Sequence, residues 1–155
     1  MPNSLYSDLC DVYDGDKPYI FVSYSHKDTE RVISLIRKLQ NLGFRIWHDS
    51  GVPVGADWRE VIAPYLKRSN IIILFLSTNS INSYNVKEEF NYAYYLQKPV
   101  LVVYLNDCML TPGFEMRVIS HPCIKCEHCE DDEDLLAEIA RAKILLPCLG
   151  EHLNN

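Results

Sequence analysis

Six consecutive apolar residues, Ile-Ile-Ile-Leu-Phe-Leu at 71–76, constrain the fold of this chain more than any other feature. The run is too short and too rich in β-branched residues to predict a helix. It is typical of a strand that is buried on both faces, as in a parallel sheet covered by helices. The chain around it therefore has to supply helices for both sides of a sheet.

Strand patterns and helix patterns alternate along the chain. Short β-branched and aromatic runs predict strands at 19–24, 44–48, 71–76, 100–105 and 122–126. Apolar residues at helical spacing predict helices at 29–42, from 57 past 66, from 84 or 85 to 97, at 114–119 and at 135–146. This alternation predicts an α/β fold: a flavodoxin-like five-stranded parallel sheet in the order 2-1-3-4-5 with helices on both faces. We expect residues 1–17 to form a loose lead-in, 18–147 the domain and 148–155 a tail.

Several predicted helix ends carry residues with the chemistry of caps. Asp28 or the next residue can cap the first helix, Gly43 stands where that helix should end, and Asp57 can cap the second. We expect the second helix to bury three apolar residues, Trp58, Ile62 and Leu66.

The predicted topology places a candidate site where the strand order reverses, between the first and third strands. Tyr24 and Ser25 end the first strand, and the loop 49–56 leaves the same edge of the sheet. Glu88 and Glu89 lie in the predicted first turn of the helix after the third strand. Acids are common there because they match the helix dipole, so a ligand site and a solvated helix end are both open interpretations.

Length, charge and composition argue against several classes of protein. At 155 residues the chain has the size of one domain, and its net charge of -6 argues against a nucleic-acid surface. No apolar stretch is long enough to span a membrane and no signal pattern is present, so we expect a cytoplasmic protein with reduced cysteines. The sequence lacks a Gly-x-Gly-x-x-Gly pattern, a P-loop and a Gly-x-Ser-x-Gly elbow, which disfavours classical dinucleotide folds, nucleoside triphosphatases and serine hydrolases.

One cysteine-rich segment has the spacing of a metal site. Cys123, Cys126 and Cys129 are each separated by two residues and are flanked by His121 and His128. Zinc and iron–sulfur sites use such spacing. A structural zinc site normally pairs two such hooks, and the sequence has no second hook. We therefore expect no bound metal and no cofactor.

Three segments resemble the sequence boxes of Toll/interleukin-1 receptor (TIR) domains, in the right order. Residues 21–28, Phe-Val-Ser-Tyr-Ser-His-Lys-Asp, resemble the first box. Residues 43–49, Gly-Phe-Arg-Ile-Trp-His-Asp, followed by Gly-Ala-Asp-Trp at 55–58, are similar to the second strand and the loop that the family calls the BB loop. Residues 82–93 resemble the helix called αC in prokaryotic stand-alone members. The resemblance extends over about 17–146.

This resemblance implies an enzyme that cleaves NAD+ between nicotinamide and ribose. Many TIR domains release ADP-ribose, a cyclic isomer or a conjugate as a signal, and short prokaryotic members tend to act in anti-phage defence. Glu89 matches the catalytic glutamate of αC because apolar residues occupy the flanking family positions, and Glu88 is the second choice. Asn85 stands where many enzymatic members carry tryptophan, and Tyr84 is a neighbouring candidate for that aromatic role.

The resemblance also implies contacts and partners. Tyr24, Ser25, Trp47 and Asp49 are expected to contact the nucleotide together with the two residues just named. NAD+ is then the substrate. We expect self-assembly through the BB loop and αC, a downstream effector that senses the product, and no binding to nucleic acid or membrane.

Two other functions fit the same sequence. A TIR domain can be a non-enzymatic adaptor that recruits other TIR domains, and the asparagine at position 85 favours this alternative. A domain that binds a nucleotide without cleaving it is a further alternative. A phospho-receiver shares the strand order, but it needs acidic residues where this chain has Tyr24-Ser25 and Ser77-Thr78, so we reject it.

Overall fold

The structure, a computed structural model, describes residues 12–50 and 57–150. Five parallel strands form one sheet in the order β2-β1-β3-β4-β5, which confirms the predicted topology. The strands are β1 (Ile20–Ser23), β2 (Ile46–His48), β3 (Ile71–Leu76), β4 (Val100–Tyr104) and β5 (Cys123–Lys125). Every residue of β3 is buried, as expected for a central strand covered on both faces.

Helices cover both faces of the sheet. They are α1 (Thr29–Asn41), α2 (Trp58–Arg68), α3 (Tyr84–Tyr95), α4 (Pro112–Val118) and α5 (Asp132–Ala140). Apolar residues of α1 and α5 pack with one face of β3, and those of α2, α3 and α4 pack with the other. Successive strand residues point to opposite faces, so β3 contributes to both cores. No helix in the described ranges is long and apolar enough to cross a membrane.

Two of the three predicted caps are confirmed. Gly43 follows α1 with a φ of 104°, a left-handed backbone angle that glycine adopts without strain. The Asp57 side chain accepts a hydrogen bond of 3.1 Å from the backbone nitrogen of Arg59 at the start of α2. Asp28 precedes α1 but makes no capping bond. Its carboxylate accepts a hydrogen bond from the Ser77 hydroxyl instead, so it connects two loops rather than ending a helix.

The last helix differs from the prediction at both ends. α5 begins three residues early, at Asp132, because the Asp131 side chain accepts a hydrogen bond of 2.9 Å from the backbone nitrogen three residues on. Acids fill its first turn, where the helix dipole stabilises them. α5 ends at Ala140, and Lys143–Cys148 form a 3-10 helix that contains Pro147. Proline lacks the backbone N–H and clashes with the preceding turn, which disfavours a continuous α-helix to residue 146.

Both ends of the described chain contact the edge of the sheet near β2. Residues 12–17 have no regular secondary structure, but the backbone nitrogen of Tyr13 donates a 2.9 Å hydrogen bond to the Ile46 carbonyl. Leu149 forms an isolated bridge with Phe44. Parts of the predicted lead-in and tail are therefore attached to the domain, and the remainder, 1–11 and 151–155, lies outside the described residues.

Candidate functional site

Glu89 lies on α3, the helix that follows the central strand. The Ser83 hydroxyl caps this helix by accepting a hydrogen bond of 3.3 Å from the backbone nitrogen of Val86. Because α3 begins at Tyr84, Glu88 and Glu89 lie in its second turn. The prediction that they occupy the first turn is wrong, and the helix dipole gives no reason for acids at these positions.

Burial sets Glu89 apart from a surface acid. Val86, Phe90 and Ala93 are buried on the same helix, and Glu89 is only 7% exposed. A carboxylate that leaves water loses its solvation, so burial raises the pKa of Glu89 to about 8. Glu89 is therefore a buried acid that is held between its protonated and charged forms near neutral pH.

Two groups from neighbouring strands act on Glu89 in opposite directions. The hydroxyl of Ser23, the last residue of β1, donates a hydrogen bond of 3.1 Å to Oε1 of Glu89. This bond stabilises the carboxylate and opposes the rise in pKa, whereas the negative charge of Asp49 adds to the rise. Ser23 belongs to β1, Asp49 follows β2 and Glu89 belongs to α3. Three neighbouring elements therefore meet at the carboxyl group of Glu89.

Asp49 is itself held by residues of the loop after β1. The Tyr24 hydroxyl donates a hydrogen bond of 2.7 Å to the Asp49 backbone carbonyl. The His26 Nε2 atom lies 3.4 Å from Oδ2 of Asp49. Hydrogen bonding to that carboxylate raises the pKa of His26, which favours the imidazolium form. His26 and Asp49 thus lie beside each other, and Asp49 in turn acts on the buried acid.

Polar side chains fix the loop that leaves β3. The backbone nitrogen of Ser77 donates a hydrogen bond of 2.7 Å to the Ser80 hydroxyl. The carboxylate of Asp28 accepts from the Ser77 hydroxyl and, at 2.7 Å, from the Asn79 amide. These bonds connect the loop after β1 with the loop after β3, and so they fix the spacing of the two sides of the site.

These loops enclose a cleft of about 400 Å³, which we call the polar cleft. One side consists of residues that follow β1 and β2, and the other of residues that follow β3 and begin α3. Trp58, at the start of α2, also lines it. The lining side chains are mainly hydroxyl, amide and charged groups: Tyr24, Ser25, His26, Lys27, Asp49, Thr78, Asn79, Asn82, Ser83, Asn85 and Glu89.

Five of the residues singled out in the sequence come together here. Tyr24, Ser25, Asp49, Asn85 and Glu89 all line the polar cleft. They belong to three separate segments of the chain, which the reversal of strand order between β1 and β3 brings to one point. The loop residues 51–56, predicted to frame the nucleotide together with Asp49, lie outside the described residues.

Trp47 does not line the polar cleft. Its side chain is buried on the sheet face that α2 covers, stacked between the rings of Phe21 at 5.1 Å and Tyr65 at 4.4 Å. The position of Trp47 on β2 directs it into the core, so it belongs to the packing of the domain and has no route to a nucleotide in that cleft.

Tyr84 and Glu88 also lie outside the polar cleft, beside Arg59 of α2. Tyr84 is 60% exposed, and the Arg59 guanidinium lies 5.6 Å from the centre of its ring. Glu88 forms an ion pair of 3.6 Å with the same arginine. Neither residue lines the polar cleft, so Glu89 is the one of the two adjacent carboxylates that does.

Ser23 and Trp58 are among the residues of the site that were not singled out in the sequence. Ser23 is a polar residue in an otherwise apolar strand, and that contrast is the only signal that could have found it. Trp58 was predicted to be a core residue, but it is only partly buried and lines two clefts. Nothing in a helical apolar pattern distinguishes a core tryptophan from one at the edge of a cleft.

Two other clefts lie on the described part of the surface. An apolar cleft of about 380 Å³ lies between α2 and α3. A third cleft, of about 450 Å³, lies beyond the ends of β4 and β5 and shares no residue with the polar cleft. Its carboxylates, Asp107, Glu115 and Glu127, are all exposed. We take the polar cleft as the candidate site because it combines the buried acid Glu89 with many hydroxyl, amide and charged side chains.

The cysteine-rich segment lines the third cleft in part. Cys123 is the first residue of β5, Cys126 begins a 3-10 turn and Cys129 follows that turn. Among the described residues, no group of three or more histidine, cysteine, aspartate or glutamate side chains is arranged to hold a metal ion. Burial raises the pKa of the Cys108 thiol in the same cleft, which disfavours its nucleophilic thiolate form.

The polar cleft has the chemistry to stabilise a cation that forms on a bound sugar. A buried carboxylate interacts with a developing positive charge more strongly than one in water, because the surroundings screen it less. Its second oxygen and the nearby hydroxyls can also hold sugar hydroxyl groups. One carboxylate suffices where the leaving group needs no protonation.

Comparisons with known proteins agree with this architecture. The chain resembles the TIR domain of the Toll-related receptor TRR-2 from Hydra magnipapillata (19% identity, 77% of this chain and 96% of that one, TM-score 0.59). It also resembles a 2-deoxyribosyltransferase from Bacillus psychrosaccharolyticus (15%, 87% and 99%, TM-score 0.61) and the TIR domains of the activated Roq1 resistosome (13%, 79% and 97%, TM-score 0.58). No curated protein matches the sequence. A sequence model of the TIR domain matches residues 20–140, and the chain therefore belongs to the TIR domain family.

Proposed function

We propose that this TIR domain is an NAD+ glycohydrolase or cyclase that breaks the bond between nicotinamide and ribose. The observation that carries the proposal is the burial of Glu89, which lines the polar cleft, accepts a hydrogen bond from Ser23 and has a pKa raised to about 8. Strongly perturbed carboxylates cluster at functional sites because burying them for structure alone is costly.

The proposed reaction needs one carboxylate and no acid. The carbon–nitrogen bond breaks with its electron pair passing to the ring nitrogen, which converts the cationic pyridinium into neutral nicotinamide. Glu89, in its charged form, stabilises the positive charge that develops on the ribose. Water, the adenine ring or another nucleophile then forms a bond to the ribose carbon and loses a proton. The product is ADP-ribose, a cyclic isomer or a conjugate.

The remaining lining residues suit the rest of a dinucleotide. His26 and Lys27 can place positive charge near the phosphates, and Asp49 favours the imidazolium form of His26. Tyr24, Ser25 and Asn85 offer hydroxyl and amide groups to the sugars. A fold related to a 2-deoxyribosyltransferase is also compatible with chemistry at a nucleoside sugar.

We further propose that the reaction occurs in the cytoplasm, in anti-phage defence, and yields a signal for a downstream effector. Self-assembly through the loop 49–56 and α3 would complete the site from two protomers. TIR domains of the activated Roq1 resistosome resemble this chain, which supports an assembled active form. Activity should therefore rise more steeply than protein concentration.

A non-enzymatic adaptor is the second candidate. Asn85, rather than an aromatic residue, lines the polar cleft at the start of α3, and Tyr84 lies outside that cleft. The cleft therefore lacks one ring that could stack on a substrate base. An adaptor, however, needs no buried titratable acid. In an adaptor the burial of Glu89 would lower the folding stability at neutral pH and serve no function.

Incubation of concentrated protein with NAD+, with product masses read by mass spectrometry, tests the proposal. We expect nicotinamide release by the native protein and by Glu88→Ala, and none by Glu89→Ala. Glu88 is the matched control because it is the adjacent carboxylate on the same helix and pairs with Arg59. NAD+ that stays intact over a wide range of protein concentrations would favour the adaptor, and binding without turnover in calorimetry would indicate a nucleotide-binding domain.

A further inference from the structure

The proposed reaction leaves the apolar cleft between α2 and α3 without a role. Its volume is about 380 Å³, and its walls are mostly apolar. Ile62, Ala63 and Leu66 of α2 form one side, and Tyr92 of α3 lies on the other. A cleft with these dimensions and walls suits a flat ring rather than a charged chain.

The apolar cleft and the polar cleft meet at two residues. Trp58 and Glu89 line both of them, so the buried carboxylate lies at the boundary between a polar and an apolar space. A substrate whose reacting bond lies at Glu89 would therefore extend into both clefts. One end of such a substrate should be polar and charged, and the other should be a compact aromatic group.

Charge at the apolar cleft favours a cation over a neutral ring. Trp58 and Tyr92 supply aromatic rings, whose faces attract cations, and Glu89 supplies negative charge in the form that the proposed reaction uses. Arg59 is the one cation among the described residues that line this cleft. Its charge is already matched by Glu88 at 3.6 Å and by the Tyr84 ring at 5.6 Å.

We propose that the apolar cleft receives the pyridinium ring of the substrate, with Trp58 as the residue that selects it. This inference rests on the proposed function, because the ring that binds in the apolar cleft is the leaving group of that reaction. Bond cleavage turns the cationic ring into neutral nicotinamide, which removes the attraction to the aromatic rings and to the carboxylate of Glu89. The same cleft that holds the ring before the reaction would then release it afterwards.

The native protein already contains the reporter for a direct test. The sequence has two tryptophans, Trp47 and Trp58, and Trp47 is buried between two rings outside this cleft. The probes are the cation 1-methylnicotinamide and neutral nicotinamide, added to concentrated full-length protein while tryptophan fluorescence is recorded. We expect saturable quenching by the cation, with an affinity about fivefold or more above that of the neutral compound.

A filled cleft should abolish this signal while keeping the reporter. Ala63→Phe places a ring in the apolar cleft, and Val61→Phe places the same ring on the exposed side of the same helix. We expect Ala63→Phe to lose the saturable quenching and to raise the KM for NAD+ about tenfold, and Val61→Phe to change neither. Ala63→Val is the smaller substitution to use if the larger one lowers the melting temperature.

The outcomes separate this inference from the proposed function. Cleavage of NAD+ with no saturable quenching, or quenching that survives in the folded Ala63 variants, would overturn the inference and leave the reaction in place. Quenching that the Ala63 variants abolish, in a protein that leaves NAD+ intact, would establish the pyridinium site and refute the reaction.

Discussion

Two clefts open after the carboxyl ends of parallel strands, and the larger one lacks the chemistry of the smaller. The polar cleft beside β1 and β3, of about 400 Å³, contains Glu89, which is 7% exposed. The cleft beyond β4 and β5, of about 450 Å³, has three carboxylates, all exposed. An exposed carboxylate is solvated and screened, whereas a buried one has lost its water and gains more from a substrate cation.

The origin of each carboxylate explains the difference. Glu89 is on the buried side of α3, a twelve-residue helix packed on the sheet, so the helix holds the acid away from water. Asp107 and Glu127 come from a loop and a short 3-10 turn, and Glu115 from the seven-residue helix α4. In this fold an acid acquires a raised pKa when a packed helix buries it beside the reversal of strand order. The volume of the cleft does not by itself have this effect.

Removal of charge from each cleft should give the largest contrast. Glu89→Gln keeps the size of the side chain but cannot carry a negative charge, so we expect NAD+ cleavage to fall by about a thousandfold. Glu115→Gln makes the same change in the larger cleft and should leave cleavage unaltered. The initial rate of nicotinamide release measures both. Equal losses in the two variants would mean that the carboxylates act through the net charge of the domain.

The same pair of variants should differ in stability as the pH changes. The pKa of Glu89 is raised in the folded state to about 8 from a usual value of 4.5, so the native state binds this proton more tightly than the unfolded chain. The resulting stabilisation is complete below the unfolded pKa and is lost as the pH rises through the folded one. Between about pH 5 and about pH 7 the free energy of unfolding of the native protein should fall by about 3 kcal/mol, whereas that of Glu89→Gln should not fall in this way.

Urea unfolding at the two pH values measures this difference. Glu115→Gln should follow the native protein at both, because its carboxylate is exposed in either state. A free energy of unfolding that falls equally in the native protein and in Glu89→Gln would mean that another group carries the dependence on pH.

The sequence predicted the sheet and the location of the polar cleft better than it predicted the roles of single residues. Strand order follows from the alternation of patterns, because right-handed crossovers leave few topologies. That order was enough to bring Tyr24, Asp49 and Glu89 together. It could not tell that Trp47 packs into the core while Trp58 lines a cleft, because both lie in apolar patterns and their exposure depends on which distant residues pack beside them.

The ends of the helices were the second feature that the sequence predicted poorly. Asp28 has the chemistry of a cap, but the Ser77 hydroxyl competes for its carboxylate across a distance of 49 residues in sequence. The first turn of α5 was missed because an acidic run between two apolar segments resembles a connector, whereas Asp131 and the helix dipole make it helical. Contacts between distant segments decided the first case, and a local cap decided the second.

Two substitutions beside Glu89 should move the pH dependence of cleavage in opposite directions. The charged form of Glu89 is the active one, so activity should rise as the pH passes through its pKa. Ser23→Ala removes the hydrogen bond that favours the carboxylate and should move the midpoint to higher pH. Asp49→Asn removes a repelling charge and should move it to lower pH. Each shift should be about one pH unit or less.

Rate profiles for NAD+ cleavage at several pH values give these midpoints. Cys123→Ser, in the larger cleft, is the control and should leave the midpoint in place. Shifts of the same sign in Ser23→Ala and Asp49→Asn would contradict the assignment of the titration to Glu89.

The smallest expected effect is tighter binding of NAD+ after a substitution in the lining of the polar cleft. Asn85 lines this cleft and Tyr84 does not, although the two are adjacent at the start of α3. Asn85→Trp should add a stacking surface and lower the KM for NAD+ about threefold to tenfold, with little change in kcat. Tyr84→Trp adds the same ring outside the cleft, beside Arg59, and should change neither constant. A lower KM from Tyr84→Trp alone would mean that the substrate base binds against the outer side of α3, in which case the apolar cleft and the polar cleft could not act on one substrate together.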